Sequence, residues 1–174
     1  MKKTILLLAI VATIVACGKK TEKENDDSQK EVSNNQYSVI VDAVVEKNDT
    51  CLVMVYDDNN FEVMNQRVKM PVTGSLNPQK IVFNLQQGTT PVNLGIAFST
   101  NKEQKQIKLN SVSIKNKEKS LFVPSDFLYY FKNNDQLIMN TTTSIHELKH
   151  DKEYPPSFVG NDKLIGAIAG ANEK

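Results

Sequence analysis

Two histidines are present in this 174-residue chain, and both fall in the string His146-Glu147-Leu148-Lys149-His150. Read as H-E-x-x-H, that spacing is a zinc-hydrolase signature. On a helix, residues four apart share a face, so two imidazoles can hold one Zn²⁺. The intervening carboxylate then polarises the metal-bound water. His146 and His150 would be the ligands and Glu147 the base, with a third protein ligand still required.

The surroundings argue against catalysis. Lys149, Asp151 and Lys152 put charge where such a helix is normally packed inside its protein. Thr141-Thr142-Thr143 is a poor helix former, although Ser144 suits a cap. Pro155-Pro156 would stop a helix near Glu153. No further histidine exists to complete the site, and beyond Asp151 the acids downstream are Glu153, Asp162 and Glu173. A solvated segment is therefore expected, no cofactor is called for, and any metal at His146 and His150 would be adventitious.

Other chemistry is weakly signalled. The sequence has no nucleophile elbow, phosphate-binding loop or dinucleotide fingerprint. Asp57-Asp58-Asn59-Asn60 offers oxygens to a sugar or a cation, but a polar turn accounts for it equally simply. Tyr129 and Tyr130, between Phe127 and Phe131, offer rings for a sugar to stack on, against the simpler role of core aromatics. Cys51 lies within an apolar run and is expected as a small buried hydrophobe.

These residues need a scaffold, and the first residues say where it sits. Met1-Lys2-Lys3 is basic, Ile5 to Val15 is an almost unbroken apolar run, and it ends in Ile14-Val15-Ala16-Cys17. The order of charge, short apolar stretch and small residue is that of a secretory signal. The apolar run falls short of the about 20 residues that span a bilayer. Ile14-Val15-Ala16-Cys17 resembles the lipobox of bacterial lipoproteins. That resemblance implies cleavage before Cys17, a diacylglycerol on its sulfur and an acylated amino terminus. The expected organisation is a signal peptide over 1–16, a disordered tether over 17–35 and one folded domain over 36–174. Gly18, in place of a retention aspartate, favours the outer membrane of the envelope, with the face left open.

Removing Lys2 and Lys3 takes the 21 Lys and Arg to 19, against 20 Asp and Glu. Near neutrality leaves no electrostatic footprint for nucleic acid.

From Gln36 onward the pattern is β. Tyr37–Val45 and Cys51–Tyr56 read as a hairpin around Lys47-Asn48-Asp49. Val68–Val72 is marked as an edge strand by Pro71. Ile81–Leu85, Val92–Phe98 and Ile107–Ile114 follow, the last with a phase change between Leu109 and Val112 that a bulge would produce. Ser125–Phe131 reads equally as a short helix or a strand, and Leu137–Met139 as a short strand. Leu164–Gly170 reads as a final strand or a loose tail. An all-β, jelly-roll-like sandwich of antiparallel strands is expected.

This succession of strands resembles the β-sandwich modules of bacterial surface proteins, including carbohydrate-binding jelly rolls. The resemblance implies a non-catalytic binding module for a glycan or an envelope protein, with an accessory role in an envelope complex as the alternative. The candidate binding residues, read from their side-chain types, are Tyr129, Tyr130, Asp57 and Asp58.

Overall fold

The computed structural model describes residues 36–173. The expected signal peptide and tether, with Cys17, lie outside the described residues. The strands are β1 (Tyr37–Val44), β2 (Asp49–Tyr56), β3 (Val68–Val72), β4 (Gln79–Asn84), β5 (Asn93–Ala97) and β6 (Gln106–Asn116). They continue with β7 (Lys119–Ser120), β8 (Phe131–Asn133), β9 (Leu137–Ile138), β10 (Ile145–Leu148) and β11 (Ser157–Gly160), and helix α1 (Asp162–Asn172) closes the chain. One sheet runs β4-β1-β6-β10-β9 with β7 on β6, and the other runs β3-β2-β5-β11-β8. All pairings are antiparallel.

Successive strands change sheet at β1–β2, β3–β4, β4–β5, β5–β6, β7–β8, β8–β9 and β10–β11. This rolled connectivity makes the all-β, jelly-roll-like sandwich expected from the strand rhythm. It also corrects the first hairpin. β1 pairs with β4 and β6, while β2 pairs with β3 and β5, so the turn at 45–48 is an arch between layers. Short turns look alike in sequence whether the next strand lies beside or across.

The core follows from the period of two. Tyr37, Val39, Val41 and Ala43 of β1 point inward with Ile81 and Phe83 of β4. They meet Cys51, Val53 and Val55 of β2 and Leu94 and Ile96 of β5. Aromatic rings fill the far half: Phe158 packs edge-on to Phe98 at 5.0 Å and lies 5.9 and 5.8 Å from Phe127 and Phe131. The phase change in β6 is a bulge. Asp42 faces Ser111 and Ala43 faces Leu109, so Asn110 is the extra residue and both Leu109 and Val112 stay inside. Pro71 lies on edge strand β3, where its missing N–H costs no ladder bond.

Two segments resolve differently from the sequence pattern. Residues 125–131 divide into a 3₁₀ turn, Pro124–Tyr129, and then β8, so each of the two readings holds for part of the stretch. Pro124 suits the first helical position because no N–H is needed there. Residues 164–170 are neither strand nor tail but the middle of α1. Asn161 caps it by accepting the Lys163 N–H, and Leu164 and Ile168, four apart, are its buried face. Tyr37 fastens the far end, its hydroxyl donating to Asn172 Oδ1 at 2.6 Å. Among the described residues both sheets share one hydrophobic core, which is what allows a domain to fold on its own. No helix among the described residues is long and apolar enough to cross a membrane.

Candidate ligand groove on the outer face of the five-stranded sheet

The histidine segment comes first, because its conformation decides its chemistry. Residues 145–148 are β10, so His146 and Glu147 point to opposite faces. His146 is buried inward beside Leu148, and its Nδ1 accepts the Asn140 N–H at 3.1 Å. Burial holds its pKa below the ordinary histidine value. Glu147 is exposed. His150, past the end of the strand, bonds the Gln104 carbonyl through Nε2 at 3.1 Å. Ligand spacing of four requires a helix, so the H-E-x-x-H geometry does not form. Among the described residues no group of three or more His, Cys, Asp or Glu is placed to share a metal ion.

The other candidates are also placed. Asp57 Oδ1 accepts the N–H groups of Asn59 and Phe61 at 2.9 Å each, a side-chain-capped turn, and Asp58 is exposed beside it. Tyr130 stacks on Phe122 at 4.3 Å, and Tyr129 meets Tyr130 at 81° between planes, so the two rings form no flat platform. The Lys163 ammonium sits over the Tyr129 ring, 3.5 Å from its centre. Cys51 is buried and donates to the Phe98 carbonyl, and burial first, Asp49 second, push its thiol up to about 12. A thiol so held is inert at neutral pH.

The structure brings together a different set. On the outer face of the five-stranded sheet, Leu52, Met54 and Ala97 form a second buried apolar cluster under Tyr56. Gly95, paired with Met54, makes room for it. A Cβ there would lie 2.8 Å from Met54 Cε and 3.1 Å from the Tyr56 ring and hydroxyl. Over this floor opens a groove of about 660 Å³, rimmed by Glu62, Arg67, Asp135, Glu153 and Tyr154. A second hollow of about 250 Å³ shares Leu52, Arg67, Glu153 and Tyr154 and continues it toward Lys102, His150 and Lys152.

The rim is built by hydrogen bonds rather than by regular structure. Arg67 forks onto Glu62, Nε to Oε1 at 2.6 Å and Nη2 to Oε2 at 2.7 Å. Tyr56 bridges Glu62, which aligns both side chains on the groove side. Burial raises the Tyr56 hydroxyl pKa, and the Glu62 carboxylate adds to it. Across the groove, buried Gln136 accepts the N–H groups of Asp151 and Lys152 through Oε1. Asn134 donates to the Pro155 carbonyl and the Ser157 hydroxyl. These two amides hold the 149–156 loop, whose Tyr154 donates to Asp135 Oδ1 at 2.8 Å. That bond lowers the Asp135 pKa and raises that of Tyr154.

The groove therefore offers one half-exposed ring, a second ring partly covered, fixed carboxylates and a guanidinium. Sequence reasoning missed Tyr56 and Tyr154, which lie about a hundred residues apart. One signal was available: a glycine inside a strand marks a close approach of side chains, and Gly95 is such a glycine. No protein-family model, no curated protein and no solved structure matches this chain.

Proposed function

We propose that this protein is a lipid-anchored module of a bacterial envelope that binds a glycan, without catalysis, in the groove of the five-stranded sheet. The observation that carries the reading is the groove itself: the Tyr154 ring is about half exposed beside Arg67, Asp135 and Glu153, over an apolar floor. Sugars have apolar faces that stack on aromatic rings and hydroxyls that bond paired carboxylates and guanidinium groups. A side-chain set prefixed by internal bonds spares the ordering cost of binding. The lipid anchor rests on Ile14-Val15-Ala16-Cys17, and Gly18 favours the outer membrane.

A glycan array probed with residues 36–174, followed by calorimetry on the best ligand, tests the groove. Tyr154→Ala should weaken binding by at least about thirtyfold, as expected of a central aromatic contact. Undiminished binding in that variant would reject the site. The anchor has its own test. Labelled palmitate should enter the full chain and be absent from Cys17→Ser.

A further inference from the structure

We infer that the groove between helix α1 and the β6–β7 hairpin is the seat of residues 32–35 of this same chain, with the Val32 side chain filling it. The inference is separate from the ligand groove over the five-stranded sheet and does not rest on acylation of Cys17. The groove encloses about 530 Å³ between hairpin residues 116–121 and the Gly166, Ala167, Gly170 and Ala171 face of the helix. Leu164 and Ile168 point the other way, into the core. Glycine inside a helix costs stability relative to alanine. No described neighbour accounts for either glycine, since nothing lies within 4 Å of a Cβ at Gly166 or Gly170. Residues four apart share a helix face, so both glycines open onto the same groove. A wall built only of glycine and alanine lets another main chain come close.

The path of the chain names the occupant. The Gln36 N–H bonds Asn116 Oδ1, and the Gln36 carbonyl accepts the Lys117 N–H. Asn116 also donates through Nδ2 to the Ala171 carbonyl at 3.4 Å. One side-chain amide therefore ties the point where the preceding chain enters to both walls, at the Asn116–Ala171 end of the groove. Residues 32–35 lie outside the described residues, and they join the domain at this end. At about 3.3 Å per residue, an extended chain from Gln36 back to Val32 covers about 13 Å. The helix from Ala171 back to Gly166 covers about 7.5 Å. Val32 thus has the reach to span the whole glycine and alanine face. It is also the one apolar side chain between Cys17 and Gln36. Half-buried Leu121, on the hairpin wall, gives it an apolar neighbour. A seated Val32 fixes the point at which the anchor side of the chain leaves the domain.

Urea unfolding of residues 18–174 tests this. Val32→Ser should raise the unfolding constant about tenfold, the loss expected when a buried valine is exposed. Gly166→Leu suits the helix, since nothing lies within 4 Å of a Cβ there, but its side chain takes the space assigned to Val32. In that background Val32→Ser should have no further effect. A second measurement does not depend on stability. With Val32→Cys and Gly166→Cys together, mild oxidation should give a disulfide within one chain. Val32→Cys with Leu76→Cys should give none, because the loop of Leu76 bonds Val45, past the far end of β1. An unfolding constant unchanged by Val32→Ser would overturn the inference, as would an equal effect in both backgrounds or equal cross-linking at Leu76. So would a disulfide formed only between two molecules, since the groove would then hold a second copy of the chain.

Discussion

The two sheets turn different outer faces to the outside. On the six-stranded sheet the alternation is plain: β1 buries every second residue, and β4 exposes Lys80, Val82 and Asn84 between inward ones. On the five-stranded sheet, Cys51 to Val55 of β2 and all of β5 are buried. A strand buried on both faces must have something covering each. Here the second cover is the pair of loops that hold Arg67 and Tyr154, and the groove lies between them. The difference teaches that burial without a second layer of regular structure is where irregular chain has been assembled over a sheet, and such assemblies carry sites.

Substitutions can break this contrast, and the largest effect belongs to the face both sheets share. Phe158→Ala removes the ring around which Phe98, Phe127 and Phe131 pack, and should cost about 3–5 kcal/mol in urea unfolding. Next comes Gly95→Val, which drives side-chain carbon into Met54 and Tyr56. About 1–3 kcal/mol of stability should be lost, and glycan binding with it. The matched change on the other sheet, Val82→Ala on its outer face, should stay within about 0.5 kcal/mol and leave binding intact. Equal costs for the Gly95 and Val82 variants would mean that the two outer faces do not differ.

A smaller effect concerns acid. His146 has its folded pKa held below the ordinary value by burial, and its Nδ1 must stay unprotonated to accept from Asn140. The unfolded chain therefore binds the proton first as pH falls. The histidine's contribution is complete above the ordinary value of 6.5 and is lost as pH drops from there through the folded value. Unfolding midpoints measured across pH 8 to pH 5, values that bracket about 6.5, should fall less steeply in His146→Gln. An unchanged slope would count against the assignment.

How much of this could be read in advance depended on whether the cause was local. The bulge at Asn110 shows in the sequence because a period-two strand that slips one residue must declare it, and Pro71 marks an edge because it lacks a donor. Helix α1 was obscured by Gly166 and Gly170, which weaken a helix, although nothing lies within 4 Å of a Cβ at either. Its Asn161 cap and its Leu164–Ile168 spacing were the signals that survived. The arch at 45–48 was not legible, since nothing in Lys47-Asn48-Asp49 tells adjacent strands from facing ones. β11 was hidden by the length of its irregular approach through Pro155-Pro156. The groove is the furthest from legible: Tyr56, Arg67, Asp135 and Tyr154 come from four segments that only the rolled topology joins.

The central claim is that ligand binds over the five-stranded sheet, at Tyr154, and away from Tyr129. Calorimetric titration of the array-selected glycan into residues 36–174 should show binding lost in Tyr154→Ala and retained at parental affinity in Tyr129→Ala. Binding retained in the first and lost in the second would contradict the account.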